Sequence, residues 1–201
     1  MQEILPGVFH WTQNHPQIKI AVSSFFLEPE RILIDPLIPD EGIERFSATP
    51  PEHVVLSMRH HYRHSAEFAA RYDCETWCVE QGLHEFKNAE AVRGFHFGDT
   101  LPGGLVSIEV GYLCPDEGCL YLAREGGCLF IGDGIVRRDD GPLMFVPDKM
   151  LGANPDAVRA GLTKAYRRVL RDFAFRHLLF AHGEPILHDG PEQLTAFLID
   201  K

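Results

Sequence analysis

What this sequence lacks sorts it first. No apolar run approaches the ~20 residues that span a bilayer. The opening stretch, MQEILPGVFHW, has neither the basic nor the apolar region of a secretory signal, so a cytoplasmic location is expected. Basic residues are in deficit, with 19 Lys and Arg against 29 Asp and Glu and a formal charge of −10. That is the reverse of the surplus a nucleic-acid binder uses to neutralise phosphates. Cysteines are few and odd in number (Cys74, Cys78, Cys114, Cys119, Cys128), without the spacing of a zinc ribbon, which fits free thiols in a reducing compartment. No Gly-x-Ser-x-Gly, phosphate loop or dinucleotide fingerprint occurs. Neither a membrane nor a nucleic acid is expected as partner; a small-molecule substrate or anion is.

What is present reads as one α/β domain over residues 1–201. A folded chain of this length buries roughly 70% of its unfolded surface, enough for a core without staples. No repeat or Gly/Ser linker divides it. Short β-like runs at 7–11, 18–27 and 31–35 precede HVVLS at 53–57, a continuous apolar run suited to a strand buried on both faces. SAEFAARY at 65–72 has helical spacing, and 76–79 returns to a strand. Strands at 105–110, 119–123 and 128–131 follow, the last two joined through Gly126-Gly127. The spacing of Val158, Leu162, Tyr166, Val169 and Phe173 predicts a long helix over 154–173, capped by Asn154 with Pro155 at its first position. The basic stretch Arg159, Lys164, Arg167, Arg168, Arg171 and Arg176 reads as a solvated outer surface. A strand at 177–181 and a helix from 191 to about 199 close the chain, and a layered mixed sheet is expected.

The chemistry concentrates at strand ends. Arg59-His60-His61-Tyr62-Arg63-His64 holds three histidines and two arginines in six residues, between a buried strand and a helix. Asp133 follows the apolar run 128–131, and His182 follows 177–181. Imidazoles and a carboxylate delivered from three strand ends are the donors a zinc or iron site needs.

These segments, with ILIDP at 32–36, GDTLPGGLVSIEV at 98–110 and AHGEP at 181–185, resemble the metallo-β-lactamase fold superfamily over nearly the whole chain. The resemblance implies an αββα sandwich of two mixed β-sheets with outer helices and a metal site at one sheet edge. It does not choose a substrate. The family motif His-x-His-x-Asp-His, registered on its last histidine, falls on Arg59, His61, Arg63 and His64. The family's third histidine falls on Leu113 or Tyr112, while its bridging aspartate and last histidine fall on Asp133 and His182. A metal set of His64, Asp133 and His182 follows. Two arginines and one aspartate already sum to +1, and a divalent ion ~5 Å from one arginine meets roughly 6–7 kcal/mol of repulsion at a dielectric of 20. One divalent ion at most (zinc, iron or manganese) is therefore expected, and none tightly bound. Three readings stand together. One is a hydrolase of a small anionic ester, lactone or thioester with a degraded site, in which Arg59 and Arg63 bind the substrate and Asp133 or His61 acts as base. The second is a mononuclear metal hydrolase using His64, Asp133 and His182, and the third is a non-catalytic anion-binding protein.

Overall fold

The computed structural model describes residues 1–88, 90–199 and 201. Seven strands form the first sheet in sequence order: β1 (Gln2–Leu5), β2 (Val8–Asn14), β3 (Ala21–Leu27), β4 (Ile32–Ile34), β5 (His53–Val55), β6 (Glu75–Val79) and β7 (Val92–Phe95). The first four pair antiparallel and the last four parallel, with helix α1 (Ser65–Tyr72) crossing between β5 and β6. The second sheet holds β8 (Val106–Glu109), β9 (Gly118–Leu122), β10 (Cys128–Ile131) and β11 (His177–Phe180), in the order β11-β10-β9-β8. Helix α2 (Pro155–Asp172) forms the crossover that makes β10 and β11 parallel, and α3 (Gly190–Ile199) ends the described helices.

Period-two alternation decides which face each residue serves. Phe130 and Leu179 join the core between the sheets, where Phe25 meets Phe130 edge-on at 5.3 Å. Their neighbours Leu129, Ile131, Leu178 and Phe180 point the other way, into a second core with Leu162, Tyr166 and Val169 of α2. On the far side of the first sheet, Phe26 packs edge-on against Phe46, and Phe46 against Phe68 of α1. Each buried Phe contributes roughly 1.5–3 kcal/mol, so these five rings outweigh any single ion pair on the surface. The result is the sandwich of two mixed sheets with outer helices.

The long helix starts where expected: the Asn154 side chain accepts the Ala157 N–H at 3.2 Å, with Pro155 next. Strand β3 begins at Ala21 instead of Ile18, leaving Ile18 and Ile20 exposed in the β2–β3 turn. No described helix is long and apolar enough to cross a membrane.

Candidate functional site

Parallel pairing builds half of the site. Cys128 pairs with His177 and Ile131 with Phe180. Two residues beyond the last pair on each strand come Asp133 and His182, which therefore leave the sheet level with one another. His182 Nε2 stands 3.2 Å from Asp133 Oδ1. The sheets are tied together here, since the Ser23 N–H donates to Ala181 O at 2.8 Å and Ser23 Oγ to Gly183 O at 3.2 Å.

The other half comes from β4 and β5. Asp35 follows β4 with a left-handed backbone (φ 49), which aspartate tolerates better than most residues. This turns its carboxylate inward, where it accepts the Ser57 N–H at 2.9 Å, Ser57 Oγ–H at 2.6 Å and His61 Nδ1–H at 2.9 Å. His61, on the 3-10 turn Arg59–His61, is thus oriented so that Nε2 lies 3.2 Å from Asp133 Oδ1. One atom each of His61, Asp133 and His182 lies within 4.8 Å of the others, a group able to hold a metal ion. They open into a cavity of about 560 Å³.

The remaining expected residues part company here. His64 lines the same cavity but falls outside the triad, because its Nδ1 accepts the Ile38 N–H at 2.9 Å at the start of α1. His61 stands where the ligand set expected His64. Arg59 lines the cavity but is committed elsewhere: its N–H donates to Asp116 Oδ2 at 2.9 Å, and its guanidinium pairs with the Asp116 carboxylate, which is fully buried. Arg63, at φ 46, folds inward, with Nη1 donating to Ser23 O and Asp35 O at 2.5 Å each. Its Nη2 is buried without a hydrogen-bond partner. Neither candidate for the third histidine slot joins the triad. Tyr112 is exposed against α2, and the Leu113 side chain packs into the second core.

Charge in the triad is self-consistent. Burial is the strongest influence on His61 and opposes its proton, yet the carboxylates of Asp35 and Asp133 together outweigh it and push the pKa up to about 9. Burial works against ionised Asp133 as well, but the neighbouring His61 and His182 hold its carboxyl well below the usual range. Asp35 is lowered too, by His61 and Arg63 against its own burial.

Behind Asp133 lies a group that composition alone did not single out. Glu117 is fully buried, and its Oε2 accepts the Leu113 N–H at 3.2 Å. A Cβ on Gly134 would sit 2.3 Å from Glu117 Oε1 and 2.7 Å from the Tyr166 hydroxyl, so only glycine fits. Burial, then the charge of Asp133, raises Glu117 from 4.5 to about 8 against backbone N–H donors that pull it down. Between those values the unfolded chain releases a proton that the folded one keeps, so this group's stabilisation is full below pH 4.5 and falls as pH rises towards 8. The loss is about 4–5 kcal/mol at most. Glu117→Gln is accordingly expected to gain on the parent by several kcal/mol between about pH 5 and pH 8 in urea unfolding. A difference that stays constant with pH would refute the buried neutral acid.

No family model matches the chain, and no curated protein does. Solved structures do. A metallo-β-lactamase family protein from Thermus thermophilus superposes with a TM-score of 0.67 at 14% identity, over 98% of this chain and 80% of that one. An archaeal metallo-β-lactamase superfamily protein from Sulfolobus tokodaii gives 0.67 at 14%, over 96% and 85%. The flavodiiron protein from Giardia intestinalis gives 0.69 at 18%, over 98% of this chain but 58% of its own. Likeness of backbone at such low identity speaks for architecture, and it agrees with the strand-end motifs: the chain has the metallo-β-lactamase fold.

Proposed function

We propose that this chain is a hydrolase of a small anionic ester, lactone or thioester, working at His61, Asp133 and His182 with one divalent ion at most. The observation that carries this reading is the state of Asp133 Oδ1. It is buried, and two imidazole nitrogens stand 3.2 Å away, yet it has no well-aligned hydrogen bond. Two nitrogens and one carboxylate oxygen around an open position suit zinc, iron or manganese. The Asp35–His61 hydrogen bond is the kind of outer contact that fixes a ligating imidazole. An ion held there would polarise an ester carbonyl and acidify a water.

A second ion is disfavoured by the donors: Arg63 replaces a carboxylate, and Arg59 is committed to Asp116. The Arg63 side chain, which lines the cavity and keeps a donor without a partner, receives the anionic group of the substrate. Arg59 is dropped from that role. Ile18, Ile20 and Met150, exposed at the cavity mouth, meet its apolar part. The proton on His61 makes it a poor base near neutral pH, so without an ion the same pocket is better suited to binding an anion than to turning one over.

The test is metal counting joined to turnover, on untagged protein dialysed against zinc and assayed on carboxylate-bearing p-nitrophenyl esters, thioesters and lactones. At most one ion per chain is expected, lost in His61→Ala and His182→Ala but kept in His64→Ala. Asp133→Asn should lose at least about 100-fold in kcat/KM, and Arg63→Met should raise KM about tenfold. Two ions per chain, release by His64→Ala alone, or turnover indifferent to Asp133→Asn would overturn the reading.

A further inference from the structure

The basic face of α2 is exposed, as its spacing suggests, but it is not featureless. It lines a second cavity of about 560 Å³, whose walls carry Lys164, Arg167, Arg168, Arg171 and Lys201, with Tyr112 at one side. Five of the chain's 19 Lys and Arg gather there, and no Asp or Glu lines the cavity among the described residues. On a chain with 29 acidic residues this is a marked segregation of charge. Like charges four apart on a helix, as in 164/168 and 167/171, weaken it, so the fold by itself gains nothing from the arrangement.

Two features make this a built site rather than a loose patch. The Arg168 guanidinium donates to Glu109 O and that of Arg167 to Leu198 O at 2.7 Å, so backbone oxygens fix their positions while further N–H groups remain to donate. Lys164 has no ion-pair partner among the described residues, and of the five only Arg171 has one, its neighbour Asp172. The second feature is Tyr112. Its ring packs on Gly161, where any Cβ would stand 2.0 Å from the ring, and the residue remains 42% exposed. An aromatic ring thus lines the same cavity as a cluster of cations.

We infer that this cavity binds a small phosphorylated ligand carrying a planar ring, of the nucleoside di- or triphosphate class, at a site separate from the His61/Asp133/His182 triad. Guanidinium forks match phosphate oxygens, and tyrosine offers a stacking face for a base. The volume falls in the range of small-ligand pockets. The overall charge of −10 repels a polyanion that extends beyond the basic walls, which favours a nucleotide over a nucleic acid.

Calorimetric titration of the full chain with ATP, pyrophosphate and a 12-nucleotide single-stranded DNA, at low and moderate salt, tests the inference. ATP is expected to bind with Kd of roughly 10–100 μM at low salt, weakening as salt rises. Lys164→Glu should weaken both ATP and pyrophosphate at least about tenfold, since it reverses an unpaired charge. Tyr112→Ala should weaken ATP about tenfold and leave pyrophosphate unchanged. Arg63→Met, which disables the other anion site, should leave ATP binding intact. The inference is overturned if ATP does not bind at about 1 mM, if Lys164→Glu binds it as well as the parent does, if Arg63→Met abolishes binding, or if DNA binds more tightly than ATP. Thermal melting of each variant separates lost binding from lost fold, and Lys164, exposed on α2, is the variant least able to disturb packing.

Discussion

Zinc affinity is expected to rise about a hundredfold between pH 6.5 and 8.5, far more steeply than an ordinary histidine site allows. An unperturbed imidazole has shed most of its proton by about pH 7.5, so its affinity curve flattens there. His61 keeps its proton up to about pH 9, because Asp35 and Asp133 together outweigh the burial that opposes the charge. An ion must displace that proton from Nε2. Each pH unit below 9 therefore costs about tenfold in apparent affinity. Competition against a chromophoric chelator, corrected for the chelator's own protonation, reads the slope directly. Asp35→Asn removes one of the two supporting charges and should move the rise to lower pH. An affinity already flat above about pH 7 would mean that His61 is neutral, and the electrostatic account of the triad would fail. The same proton has a consequence for stability. A folded pKa of about 9 against 6.5 contributes stabilisation that is complete below pH 6.5 and lost as pH rises through 9. The lowered Asp133 and Asp35 act in the opposite sense, stabilising above about pH 4 and losing that contribution in acid.

Arg59→Met is expected to destabilise the chain by about 3–5 kcal/mol, the cost of leaving a buried charge without its partner. Asp116 is fully buried, and the Arg59 backbone and side chain both bind its carboxylate. Packing around the pair is tight: a Cβ on Gly82 would stand 3.0 Å from Arg59 Cβ and 3.2 Å from Asp116 Oδ2. Adding Asp116→Asn to the methionine variant should recover most of the loss, since a neutral amide needs no counter-charge. Urea unfolding of the four members of that cycle gives the coupling. A single-variant cost below about 1 kcal/mol would place the pair among solvent-screened surface bridges and return Arg59 to the substrate.

The fold was legible because its two cores write period two and period 3.6 into the chain. CLFI at 128–131 and HLLF at 177–180 are buried on both faces, and α2 repeats its apolar positions on schedule. Strands β1 and β7 were not legible, since QEIL and VRGF are largely exposed or glycine-interrupted and carry no alternation. In the site, Asp133 and His182 could be read from strand ends alone, and the register of β10 on β11 explains why they meet. The choice between His61 and His64 could not. It depends on a 3-10 turn over 59–61, a left-handed Arg63 and a backbone N–H from Ile38, none of which spacing encodes. Asp35 had a signal in ILIDP, a strand broken by proline, whereas Asp116 looked like any turn residue after Pro115.

The central claim is the identity of the triad, and anomalous diffraction from a zinc-soaked crystal at about pH 8.5 tests it most directly. One anomalous peak per chain is predicted, within bonding distance of His61 Nε2, an Asp133 oxygen and His182 Nε2, with Arg63 still anchored on Ser23 O and Asp35 O. A peak on His64, or a second peak near Arg63, would contradict it.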